Sequence, residues 1–97
     1  ISYVGILDKL DDLIYLVLSK NQITIMENLS HLKCLKYLFL NRNKLDKIEG
    51  IINSIASLEI LNLSCNNIKL IENIFGLMNL REISLQNNQL QLGYEIP

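Results

Sequence analysis

The stretch Leu58-Glu59-Ile60-Leu61-Asn62-Leu63-Ser64-Cys65-Asn66 decides how the whole chain is read. Three other stretches share its frame, Leu-x-x-Leu/Ile-x-Leu-x-x-Asn: Leu13 to Asn21, Leu35 to Asn43 and Leu80 to Asn88. The closing asparagines, Asn21, Asn43, Asn66 and Asn88, are 22, 23 and 22 residues apart. A fixed period of this length describes a chain wound in stacked coils, each too small to bury its own apolar face.

Laid in register, the coils give columns of apolar residues. Leu13, Leu35, Leu58 and Leu80 form one, and Leu16, Leu38, Leu61 and Ile83 the next. Beside them run Leu18, Leu40, Leu63 and Leu85, then Ile23, Leu45, Ile68 and Leu90. The columns continue through Met26, Ile48 and Ile71, then Leu29, Ile51, Ile74 and Ile96, and return through Leu10, Leu32, Ile55 and Leu77. The expected fold is an α/β leucine-rich repeat solenoid, with short parallel strands on the concave face and 3₁₀ or short helical turns on the convex face. Strands are expected at Tyr15–Val17, Tyr37–Phe39, Ile60–Asn62 and Glu82–Ser84. The interval from Ile51 to Ile55 is one residue longer than its equivalents, so the extra residue is assigned there, in a helical turn through Ile51–Ala56.

Residues 1–97 read as one leucine-rich repeat domain of about four repeats. Stepping back one period from Ile23, Met26 and Leu29 reaches Ile1, Val4 and Leu7, and Gly93 stands where an apolar residue is due. The expectation is a piece of a longer solenoid, truncated at both ends.

Composition narrows the function. Apolar residues make up 49%, and the net charge is −1 with both signs interspersed. This is not the basic stripe of a nucleic-acid binder, and no run is apolar enough for a membrane span. Cys34 and Cys65 fall at non-equivalent positions, which speaks against a disulfide and for a reduced, intracellular chain. His31 is the only histidine and reads as a solvated turn residue. No Gly-rich phosphate loop, zinc spacing, nucleophile–base pair or convergent carboxylates are present. The chain reads as a non-enzyme that needs no cofactor, metal or small-molecule substrate. The four asparagines read as structural, their amides bonding backbone groups where the strands end.

The exposed sheet face remains. Alternation along a strand sends Leu16 and Leu18 inward and therefore Tyr15 and Val17 outward. The same rule exposes Tyr37 and Phe39, Ile60 and Asn62, and Glu82 and Ser84. The first two strands with Ile60 then form an apolar, aromatic patch, and Arg42, Lys20, Glu59, Arg81 and Glu82 supply charge at its borders. Lateral packing between coils is one role for these side chains. A protein-binding site, formed by Tyr15, Val17, Tyr37, Phe39, Ile60, Asn62, Arg42 and Glu82, is the preferred one.

LSKNQI at Leu18–Ile23, ENLSHLKCLKYLFLNRN at Glu27–Asn43 and LEILNLSCNNI at Leu58–Ile68 resemble the short intracellular class of leucine-rich repeats. Within it they are most similar to the leucine-rich light chains of axonemal outer-arm dynein (the light chain 1 type). Asn87–Asn88, followed by Glu95 and Ile96, and the single long coil after Arg42–Asn43 add to the likeness. The resemblance implies a non-catalytic light chain in the cytoplasm or ciliary axoneme, bound to a dynein heavy chain and in possible contact with tubulin. The chain departs from that family at Asn62, where the family carries a tryptophan, and at Gly93–Tyr94, where its aromatic is displaced by one. A regulatory subunit of protein phosphatase 1 and an assembly protein of the spliceosomal A-prime type are the alternative members of the class.

Overall fold

Each coil begins with a segment whose alternate side chains are apolar, and this period of two is what a short strand with one buried face requires. In the computed structural model, which describes residues 11–91 apart from 28, 50, 51 and 53, four such strands are present among the described residues. They are β1 (Tyr15–Val17), β2 (Tyr37–Phe39), β3 (Ile60–Asn62) and β4 (Glu82–Ser84), at the positions expected from the sequence. They pair in parallel in the order β1-β2-β3-β4. The register stacks equivalent residues: Leu16 on Leu38, Leu38 on Leu61, and Leu61 on Ile83.

The interior is the set of columns. Leu32, Leu35, Leu38, Leu45, Ile48, Ile55, Leu58, Leu61 and Leu63 have lost all contact with solvent. Leu13, Leu80, Ile83, Leu85 and Leu90 are half-buried against this core. Leu10 and Ile96, assigned to the columns above, lie outside the described residues, as do Ile1, Val4, Leu7, Gly93 and Tyr94.

Turns with hydrogen bonds spanning three residues carry the chain back across the convex side. Leu32 N–H donates to the Leu29 carbonyl at 3.1 Å, Ile55 N–H to Ile52 at 3.1 Å, and Leu77 N–H to Ile74 at 3.0 Å. This is the 3₁₀ pattern, suited to segments too short for an α-helix. The bonds also correct two assignments. Ile52, fully buried, is the equivalent of Leu29 and Ile74. The extra residue of the long coil is therefore absorbed between Ile48 and Ile52, not between Ile51 and Ile55; Ile51 itself lies outside the described residues. Ile71, placed in the core by periodicity, is 51% exposed.

The asparagines form a ladder. The Asn43 side-chain amide donates to the carbonyls of Leu40 (2.9 Å) in its own coil and Leu18 (3.0 Å) in the preceding one. Its Oδ1 accepts from Ile23 N–H at 3.0 Å. Asn66 repeats this with Leu63, Leu40 and Leu45, and Asn88 with Leu85, Leu63 and Ile68. The amides thus join coil to coil where the strand ladder has ended. A second set of cross-coil bonds lies on the convex side, from Ser57 Oγ to the Leu35 carbonyl and from Asn79 Nδ2 to the Ala56 carbonyl.

The residue before each asparagine takes a left-handed backbone: Lys20 and Arg42 at φ 61°, Cys65 at 59° and Asn87 at 60°. That region costs a non-glycine residue roughly 1–2 kcal/mol, and here it aims the next side chain into the ladder. Cys65→Val, which puts a β-branched residue at this φ, is expected to lower stability by about 1–2 kcal/mol. Cys65→Asn, the choice already made at position 87, is expected to stay within about 0.5 kcal/mol of the parent. Thermal unfolding of the two variants side by side checks the difference.

Candidate functional site

Three rows of side chains cross the concave face of the sheet. The register aligns Tyr15, Tyr37, Ile60 and Glu82 in one row, and Val17, Phe39, Asn62 and Ser84 in the next. The ladder runs one step beyond the strands, with Lys20 N–H donating to the Asn41 carbonyl at 3.1 Å and Arg42 N–H to Ser64 at 2.9 Å. This continuation adds a third row, Ser19, Asn41, Ser64 and Gln86. The strand bounds expected from the sequence do not include this row, although the same alternation reaches it.

The aromatic side chains meet. The Tyr15 ring lies 5.4 Å from Tyr37 at an interplanar angle of 46°, and 5.5 Å from Phe39 at 21°. Each contact of this kind is worth about 0.5–1.5 kcal/mol beyond the area it covers, so lateral packing accounts for part of the cluster. It does not use up the surface. Tyr15 and Val17 remain 57% and 54% exposed, while Tyr37, Phe39 and Ile60 are half-buried. The result is one continuous apolar surface over β1, β2 and the start of β3.

Asn62 stands apart from that surface chemically. Its Oδ1 accepts from both the backbone N–H (3.0 Å) and the hydroxyl (2.8 Å) of Ser64, closing a local loop at the end of β3. In the adjacent coils Ser19 Oγ donates to Asn41 Oδ1 at 2.7 Å. Glu82 is exposed at the far end of its row.

The two ends of the strands differ electrostatically. At the start, the Glu59 carboxylate sits between Lys36 (4.0 Å) and Arg81 (3.4 Å). Lys36 was not singled out from the sequence, since a pairing across coils is visible only once the register is known. At this exposure such contacts contribute at most about 1 kcal/mol. At the other end Lys20 and Arg42 are exposed, and no salt bridge joins either to a described residue. The thiols of Cys34 and Cys65 are free. His31 is half-buried in its turn rather than fully solvated. Among the described residues no group of three or more histidine, cysteine or acidic side chains is placed to hold a metal ion, and no helix is long and apolar enough to cross a membrane.

Fold and face together define an open repeat solenoid with one continuous apolar surface on its sheet. Two family descriptions match it along the sequence: leucine-rich repeats in two copies over residues 11–53, and a leucine-rich repeat over residues 57–78. The chain is a leucine-rich repeat protein.

Among solved structures, a leucine-rich repeat protein of Leptospira interrogans is similar with a TM-score of 0.83 and 33% identity, over 94% of this chain and 24% of that one. A chain of the Drosophila melanogaster SNF/U2A′ complex gives 0.74 and 31%, over 93% and 53%. Internalin C2 of Listeria monocytogenes gives 0.77 and 31%, over 88% and 37%. The chain thus spans from about a quarter to about half the length of these structures. No curated protein matches its sequence significantly.

Proposed function

We propose that the chain is a non-catalytic scaffold that holds a protein partner on the aromatic half of its concave face. The observation that carries this reading is the surface formed by Tyr15, Tyr37, Phe39, Val17 and Ile60. Its exposed apolar rings are already ordered by their neighbours, so little side-chain freedom remains to be lost on binding.

The partner proposed first is a dynein heavy chain, with the protein acting as a light chain in the cytoplasm or ciliary axoneme. Support for this choice is the motif resemblance at Leu18–Ile23, Glu27–Asn43 and Leu58–Ile68. Replacing Tyr37 and Phe39 together by serine is expected to weaken binding to purified outer-arm heavy chain at least about tenfold. Circular dichroism should show the repeat fold retained, because both residues lie outside the core. Unchanged affinity in the double variant would remove the patch from the proposal.

A second reading is an assembly protein of the spliceosomal A-prime type. It is favoured by the 31% identity, over 93% of this chain, with a chain of the SNF/U2A′ complex. Purified SNF-type protein is the probe. Binding of SNF-type protein, sensitive to the same double substitution, together with no binding to heavy chain would choose this reading over the first.

A further inference from the structure

The turns that end the strands differ in charge from the rest of the molecule. Residues 19–22, 41–44, 64–67 and 86–89 contain Lys20, Arg42 and Lys44 and no carboxylate, although the whole chain carries 9 basic and 10 acidic residues. All three cations are exposed. Among the described residues the ion pairs lie at the opposite end of the strands, where Glu59 takes Lys36 and Arg81. Lys20 and Arg42 also share the same left-handed backbone in adjacent coils. Their side chains therefore leave the fold from stacked positions, about 5 Å apart.

This basic edge adjoins the aromatic half of the sheet. Along β1 and β2 the exposed face passes from Tyr15 and Tyr37 to Val17 and Phe39 and then to the bonded pair Ser19–Asn41, and the next residues along the chain are the exposed Lys20 and Arg42. At about 3.3 Å per residue the cations lie roughly 10 Å beyond the Val17–Phe39 row.

We infer that the face takes an acidic peptide segment, with an apolar side chain seated on Tyr15, Tyr37 and Phe39 and carboxylates over Lys20 and Arg42. The inference rests on the face being the binding surface proposed above and adds the chemistry of what it binds. The spacing suits an extended segment with its acids about three residues beyond the apolar anchor. A phosphate backbone fits less well. Three cations on a chain of net charge −1 do not make the continuous track that nucleic acid needs.

The test uses three fluorescein-labelled peptides, Trp-Leu-Gly-Gly followed by two glutamates, two glutamines or two lysines, and a labelled oligothymidylate. Anisotropy titrations are made against the parent protein, the Lys20→Glu/Arg42→Glu variant and the Tyr37→Ser/Phe39→Ser variant, at low and high salt. The glutamate peptide is expected to bind on the order of tenfold tighter than the glutamine peptide. That preference should vanish at high salt and in the charge-reversed variant, which should favour the lysine peptide.

Equal binding of all three peptides, still lost on replacing Tyr37 and Phe39, overturns the acidic segment and leaves the binding face standing. A preference for glutamate that survives loss of both aromatics separates the basic edge from the face and overturns the inference. Absence of binding by every peptide, or tighter binding of the oligonucleotide, also overturns it.

Discussion

Asn66→Ala is expected to destabilise the protein by about 2–5 kcal/mol, from a side chain that touches no ligand. Removing the amide leaves the Leu45 N–H without the acceptor it now has at 3.0 Å, in a buried position. An orphaned donor of that kind costs about 1–3 kcal/mol. The carbonyls on the other side fare better, because the ladder supplies each of them twice. Leu40 keeps the amide of Asn43 at 2.9 Å, and Leu63 keeps that of Asn88 at 2.9 Å. Their loss is one bond each, at about 0.5–1.5 kcal/mol.

The same reasoning orders the series. Asn43 and Asn66 are buried and fully bonded, Asn88 has the same bonds but is half-buried, and Asn21, also half-buried, bonds Leu18 and Ser19 among the described residues. Alanine should therefore cost most at 43 and 66 and less at 88. For a domain of this size each 1 kcal/mol moves the unfolding midpoint by about 4–8 °C, so thermal melts resolve the order. Asn66→Asp should be worse than alanine at neutral pH, since it turns a second oxygen toward the Leu40 and Leu63 carbonyls and buries a charge. Its deficit should shrink as the pH falls and the introduced carboxyl gains a proton to donate. Equal losses at 88 and 66 would show that burial of the ladder does not set its cost.

The same asparagines made the fold legible. They fix the phase of every coil, and a strand with a side-chain period of two has no freedom to present another face once its phase is set. This is why Tyr15, Tyr37 and Ile60 were placed in one row from spacing alone, and why β1 to β4 fall where the frame puts them. What the frame does not contain is anything that depends on distance between coils. The hold of Lys36 and Arg81 on Glu59, and the turning of Asn62 onto Ser64, arise from side chains choosing among several polar neighbours. Residue types alone do not rank those choices. Periodicity likewise places Ile71 in the core, but its exposure depends on what covers its coil, which a repeat pattern does not contain.

The long coil is where residue types misled most directly, and it supports the second large prediction. Ile51 and Ile52 are chemically identical, so spacing cannot say which fills the column of Leu29 and Ile74; the backbone bonds from Ile52 N–H to Glu49 (3.2 Å) and from Ile55 N–H to Ile52 (3.1 Å) do. Ile52 is fully buried between two coils, and its truncation opens a cavity that the stacked leucines on either side have little freedom to close. Ile52→Ala is therefore expected to cost about 2–5 kcal/mol. Ile71→Ala removes the same atoms from a side chain already 51% exposed and should cost less than about 1 kcal/mol. Urea unfolding of the two variants, read as a shift in midpoint at unchanged slope, measures both. If the loss at 52 were as small as that expected at 71, the insertion would have to be absorbed elsewhere, and with it the alignment of every convex residue between Ile48 and Ile55. A large loss at 52 and a small one at 71 would follow directly from a core that is continuous through the inner coils and opens to solvent at the coil of Ile71.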